Sequence, residues 1–322
     1  MQPVLLLSDI DDPHALAVKK HLVKKTEVFC LDTTTQIPIV TFKSEKNNTT
    51  ATIDIPDQGV LDISKLGGIL YRDYYEPVPP RSMDVKADAV FRSEHKDAFW
   101  GGLRIAENAT WVNHPVWQKE LLLKINQLNI ANKLGLKIPN TIVTNNPESA
   151  FDFFKSHREV IVKLLSHEFY GSEPDDDLSV YTTLVDSNKF FAFYKDIANC
   201  PTLLQARVKK KCDIRINVVG DLVYAAAIES QELEESSVDF RGVGNLTKLK
   251  TYKHDLPDAI AHACIKMLKD FKLKFGAFDF ALTPNNEYVF FEVNLTGNWL
   301  WLEEMANLNI SEAIANLLLK KL

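Results

Sequence analysis

Cysteine is scarce in this chain, and so is the pattern that would give it work. Four cysteines, Cys30, Cys200, Cys212 and Cys264, lie far apart with no Cys-x-x-Cys pair. That excludes a zinc module and a disulfide framework and fits a reducing compartment. No apolar run approaches the ~20 residues that span a bilayer. The opening MQPVLLLSDIDDPH has no basic stretch before its short apolar run. It reads as a core strand rather than a signal peptide, so a cytoplasmic protein without membrane contact is expected. Basic charge is not in excess: 37 Lys and Arg stand against 43 Asp and Glu, a net charge of −6. Nothing general therefore favours nucleic acid. Neither Gly-x-x-x-x-Gly-Lys-Ser/Thr nor Gly-x-Gly-x-x-Gly occurs, which removes the P-loop and the usual dinucleotide fingerprint. Repeats and low-complexity segments are absent.

What is present is an ordinary apolar share, 46% of 322 residues. That suffices for a good core in two or three subdomains. Strand-like and helical stretches mix along the chain, so the fold class is α/β (α+β). Residues 1–116 read as an N-terminal α/β domain, with DDPHALAVKKHLVKK as a helix and YEPVPPRSMD as a Pro-rich loop. Residues 117–203 form a central part. It opens with one helix, QKELLLKINQLNIANKLG, and contains the strand EVIVKLL and a polar, acidic, mobile loop at 166–177. Residues 204–322 form a C-terminal part with the strand pair DIRINVVGDLVYAAAIES, a polar crossing ESQELEESSVDFRGVGN, and a closing helix ISEAIANLLLKKL.

The sharpest chemical signal is FGAFDFAL-TPNN-EYVFFEVN. A hairpin with a four-residue loop sets Leu282 opposite Glu287 and Asp279 opposite Phe290. Asp279, Phe290, Glu292 and Asn294 then share one face, with the two acids diagonal neighbours roughly 7–8 Å apart. A slip of one residue would separate the acids onto opposite faces. These are hard oxygen donors without His or Cys, which suits Mg²⁺ rather than zinc. A solvated face with scattered acids is the plainer reading. It is weakened because both acids interrupt apolar runs, where an unpaired carboxylate is costly.

Cations suited to an anionic partner lie elsewhere. Lys163 is a lone cation in the apolar run EVIVKLL, and Lys124 sits in ELLLKINQL. Taken alone, Lys124 reads as a surface helix lysine, and Lys163 divides evenly between an anion ligand and a strand-edge lysine reaching solvent. Arg215 follows Asp213 by two residues and suits a structural pair. Arg241 in DFRGVGN reads alone as a surface residue.

The order of these motifs is more specific than any one of them. Helix Lys124, IPNTIVTN, strand Lys163, LLQARV, DIRINVVGDLVYAA, DFR, FGAFDFAL and EVNLTGNWLWLE follow one another. This order resembles the ATP-grasp ligase superfamily, and most of all the microviridin-type (graspetide) peptide ligases. It covers roughly residues 90–322. The first 90 match only in general character. The aromatic run Asn298-Trp299-Leu300-Trp301 and the segment Arg92 to Asn113 add to the likeness. The resemblance implies a three-part ATP-grasp fold with ATP held between two antiparallel sheets. By position, Lys124 and Lys163 would meet the nucleotide phosphates, and Gln205, Ala206 and Arg207 would lie at the adenine. Asp213 would lie near the ribose, while Arg215 and Arg241 would face the γ-phosphate and the acyl phosphate. Asp279, Glu292 and Asn294 would hold two Mg²⁺. Ala206 stands where many members carry an acid, which leaves the ribose contact open.

The activity so implied is an ATP-dependent, ADP-forming carboxylate ligase. It would phosphorylate Asp or Glu side chains of a ribosomal precursor peptide and close ω-ester or ω-amide links with Ser/Thr or Lys. The partner implied is that precursor with its leader segment, and a homodimer stays open. Loop 166–177 or the stretch 231–246 would close as a lid. SEPDDD, or Arg72, Arg81 and Arg92, would attract leader charges. Two other readings share the same site: a ligase adding amino acids to a carboxyl terminus, and a non-catalytic ATP-gated peptide binder.

Overall fold

The computed structural model describes residues 1–46, 48–72, 84–166 and 182–320. The acidic loop at 166–177 beyond its first residue, the Pro-rich stretch from 73 to 83 and Arg81 lie outside these. The chain forms two compact units. The first comprises residues 1–116, 273–275 and 309–322; the second comprises 117–272 and 276–308.

The first unit is built on four parallel strands in the order Val28–Leu31, Val4–Leu7, Gly68–Tyr71, Thr110–Val112. Val4 to Leu7 are buried at every position, as expected of a parallel strand covered on both faces. Helix Pro13–Leu22 starts where the Asp12 carboxylate accepts from the N–H groups of His14 and Ala15 and proline takes the first turn. An antiparallel sheet of Ile39–Glu45, Asn48–Ile55 and Gly59–Asp62 shares a core with helix Val85–Leu103 through Ile53, Ile63, Phe99 and Leu103. The closing helix Ile310–Leu318 belongs to this unit. A Cβ on Gly68 would lie 2.5 Å from the Leu318 carbonyl oxygen, so only glycine lets that backbone approach.

The second unit has two antiparallel sheets. One orders Thr183–Val185, Val160–Lys163, Thr202–Ala206 and Thr141–Thr144; the other orders Thr251–Lys253, Leu222–Ile228, Cys212–Val219, Phe275–Leu282 and Tyr288–Asn294. The single helix expected from Gln118 to Gly135 is two: Pro115–Leu121 and Lys124–Lys133. Carbonyls near the break are met by side chains: Asn126 Nδ2 donates to Glu120 O (2.9 Å) and Gln127 Nε2 to Leu121 O (2.7 Å). The break makes Lys124 the first residue of its helix. The polar crossing from 231 holds three short 3₁₀ turns, Glu234–Ser236, Phe240–Val243 and Leu246–Lys248.

The hairpin register differs from the expected one. Leu282 pairs with Tyr288, not Glu287, and Phe280 with Phe290. Carried on unchanged, this register would oppose Asp279 to Phe291 and send the two acids to different faces. A bulge intervenes: one residue on, Asp279 pairs with Glu292 and Ala277 with Asn294. Phe291 is the extra residue. The acids therefore face each other directly rather than diagonally, and Phe290 turns into the core beside Phe278 and Phe280.

Candidate functional site

The bulged end of the hairpin forms one wall of a cleft in the second unit. Asp279, Phe291 and Glu292 face Lys163 and Ile161 from the other sheet, with Asp213, Asp239 and Arg241 also on its walls. Of the expected residues, Lys163, Asp213, Arg241, Asp279 and Glu292 line it. Lys124 and Arg215 reach it through the acids. Lys124 Nζ lies 3.3 Å from Glu292 Oε2 and donates to Leu164 O at 2.7 Å. Arg215 Nη1 donates to both oxygens of Asp279 at 2.7 Å.

The others stand apart from the cleft wall. Gln205 Nε2 donates to the Thr141 hydroxyl (2.9 Å), while its Oε1 is buried without a partner among the described residues. Ala206 pairs with Val160 along the ladder, and Arg207 is tied to Glu159 at 2.9 Å. Asn294 lies on the acids' face, two ladder pairs beyond Asp279 and Glu292. Its Oδ1 accepts from the Thr296 N–H at 3.0 Å, closing the turn after the strand.

Burial sets the electrostatics. Lys163 is buried with no carboxylate at ion-pair distance among the described residues, and its ammonium sits 4.8 Å from the centre of the Phe291 ring. Burial pushes its pKa down, with the pull of Glu292 opposing and the charge of Lys124 adding. Burial raises Asp279, against the pull of Arg215. Asp239 is also pushed up by burial, but the Arg241 side chain, at 2.9 and 2.7 Å, and backbone N–H groups outweigh this and hold it at about 2. Asp213 is pushed up by burial and is held by Lys210, whose ammonium reaches both its oxygens at 2.9 and 2.7 Å.

Asp239, Lys210 and Phe291 were not singled out from sequence. Asp239 had a signal in Asp-x-Arg, since a carboxylate two residues before an arginine caps that residue's own N–H. Phe291 had none, because only the bulge brings it to the acids' side.

No family model and no curated protein matches the chain. Solved structures do. A RiPP-associated ATP-grasp ligase of Chryseobacterium gregarium, in complex with ADP and a leader and core peptide, is 29% identical with a TM-score of 0.88. The match covers 99% of this chain and 96% of that one. This is the ATP-grasp fold. The macrocyclase MdnC of Microcystis aeruginosa, bound with precursor peptide MdnA, matches at 26% identity and a TM-score of 0.81, over 98% of this chain and 99% of that one. The macrocyclase MdnB of the same organism matches at 26% and 0.77, over 99% of each. The expected fold and the expected likeness to microviridin-type ligases both stand.

The ATP-grasp cleft can be tested for fit from its own atoms. Asp213 on the wall is neutralised by Lys210; beyond that pair four cations, Lys124, Lys163, Arg215 and Arg241, stand against three carboxylates, Asp239, Asp279 and Glu292. Arg215 Nε is buried without a partner among the described residues. Lys163 is a desolvated cation that meets a ring but no contacting carboxylate, and an anion in the cleft would offset its cost, several kcal/mol for an unpaired ion. Asp279 and Glu292 present hard oxygens across one ladder pair, the donor type magnesium takes. A polyanion bridged by a divalent cation fits this set.

Proposed function

We propose that the protein is an ATP-dependent carboxylate ligase acting on a ribosomal precursor peptide with a leader segment, in the cytoplasm. The observation that carries this reading is buried Lys163 facing the Asp279–Glu292 pair without a carboxylate of its own. A triphosphate is a ligand that supplies the missing charge. The likeness to MdnC, solved with its precursor peptide, supports a peptide as the second substrate.

In this reading Lys124 and Lys163 bind the phosphates. Gln205, Ala206 and Arg207 flank the base, and Asp213 lies toward the ribose. Asp279, Glu292 and Asn294 would hold two magnesium ions. Those ions would neutralise charge on the transferring phosphoryl group. An Asp or Glu carboxylate of the peptide attacks the γ-phosphorus, the bond to the ADP oxygen breaks, and an acyl phosphate forms. Arg215 and Arg241 hold its charge. A Ser or Thr hydroxyl, or a Lys amine, then attacks the carbonyl carbon. Phosphate leaves with the nucleophile's proton, and an ω-ester or ω-amide link remains. No His or Cys nucleophile is required, since the peptide carboxylate is itself activated.

Incubation of the protein with ATP, magnesium and a peptide rich in Thr/Ser and Asp/Glu tests this. ADP release and the loss of one water of mass per link are expected, both absent in Asp279→Ala. A gain of mass would instead identify an amino-acid-adding ligase. ADP release undiminished in Asp279→Ala would overturn the assignment of the site.

A further inference from the structure

One buried side chain holds a strand of the cleft wall without lining the cleft itself. Gln127 is fully buried on helix Lys124–Lys133, one turn after Lys124. Its side chain accepts from the Val293 N–H at Oε1 (2.9 Å) and donates from Nε2 to the Val293 C=O (2.9 Å). The same Nε2 donates to Leu121 O at 2.7 Å. Tyr288–Asn294 is the outermost strand of its sheet, so among the described residues Val293 has no further strand to pair with on that side. The carboxamide takes the place of one. It grips the single residue that lies between Glu292 and Asn294 by both of its flanking peptide groups, and it joins that residue to the helix whose first residue, Lys124, reaches Glu292.

We infer that Gln127 is a positioning residue for the Glu292/Asn294 ligand pair. It fixes the pitch of the strand at Val293, and through it the separation of the two oxygen side chains from each other and from Lys124. The grip falls just past the bulge. There the inner ladder has resumed, with Phe278 paired to Val293, while the outer edge has no strand among the described residues, and Gln127 supplies both hydrogen bonds on that side. This inference rests on the metal reading of Asp279, Glu292 and Asn294 given above. Residues that orient a metal's ligands typically change metal affinity by about 10–100-fold when removed.

The test compares the wild-type protein with Gln127→Met, which keeps the volume and removes all three bonds, and with Gln127→Asn, which keeps the amide but is one methylene too short. Binding of ADP is titrated with and without Mg²⁺, and hydrogen exchange is followed across residues 290–295 without ligand. The expected result is about a tenfold weaker Mg²⁺ dependence of ADP binding in Gln127→Met. Metal-free ADP affinity should stay within about twofold, and exchange at Val293 should quicken. Gln127→Asn should behave likewise if Gln127→Met does not fold. Unchanged Mg²⁺ dependence in a folded variant, with only a lower melting temperature, makes Gln127 a packing residue and overturns the inference alone. Absence of Mg²⁺-dependent ADP binding in the wild type overturns the metal reading and this inference with it.

Discussion

Two buried lysines of the second unit face opposite fates. Lys210 has 4% of its side chain exposed and is satisfied: both oxygens of Asp213 and the Val238 carbonyl surround its ammonium. Lys163, whose pKa is pushed down by desolvation, meets an aromatic ring and no carboxylate at contact distance among the described residues. Burial alone therefore does not mark a functional cation. The difference is saturation. A cation whose partners are all internal serves the fold, whereas one left short is, on the function proposed above, a binder of what enters the cleft.

The comparison can be broken by substitution. Lys210→Met strands Asp213 as a lone buried carboxylate and is expected to cost about 3–5 kcal/mol in urea unfolding. A cost below that of a surface change would mean Asp213 takes another partner. Next in size is Asp239→Asn. Asp239 sits at about 2 in the folded protein, below its ordinary 3.8. Its contribution is present above pH 3.8 and is lost as pH falls through 2. The substitution should remove ~2 kcal/mol at neutral pH and flatten the stability profile between about pH 4 and 2. A profile as steep as wild type in that window would refute the pairing with Arg241.

Gly297→Ala should cost about 1–3 kcal/mol by crowding. The new Cβ would lie 2.5 Å from Ala277 Cβ and 2.9 Å from Arg215 Nη2. Adding Ala277→Gly should recover most of the loss, and failure to do so would place the strain at Arg215 instead. Smallest is Lys163→Met. Removing a buried ion without a carboxylate partner should leave stability unchanged or raised, while nucleotide binding measured by calorimetry falls by at least tenfold. A destabilisation as large as that of Lys210→Met would erase the distinction between the two lysines.

Much of this was legible in the sequence. Alternation and turn residues disclosed the strands, and the acids interrupting FGAFDFAL and EYVFFEVN marked the cleft. The sign of Lys163 in an apolar run was also readable. Where reading stopped, the cause was physical. Loop length alone implies the expected register, but Asn286 adopts a left-handed φ of 62° and Glu287 joins the turn, moving the pairs next to the turn by one, and the bulge moves those beyond it by one more. The bulge that restores the acids leaves no trace in composition. Arg215 and Asp279, 64 residues apart, are joined only by strand order. The helix break before Lys124 was hidden because Leu121, Leu122 and Leu123 extend the apolar pattern across it.

A regular strand offers a cavity every second side chain, whatever the cavity asks of it. By inserting Phe291, the hairpin presents two successive residues to the same space: an aromatic platform for Lys163 and an acid for Lys124. Removing that one residue should leave Asp279 still opposite Glu292 yet strip the platform away. The number of useful groups that fit into so short a wall thus depends on a single irregularity of spacing.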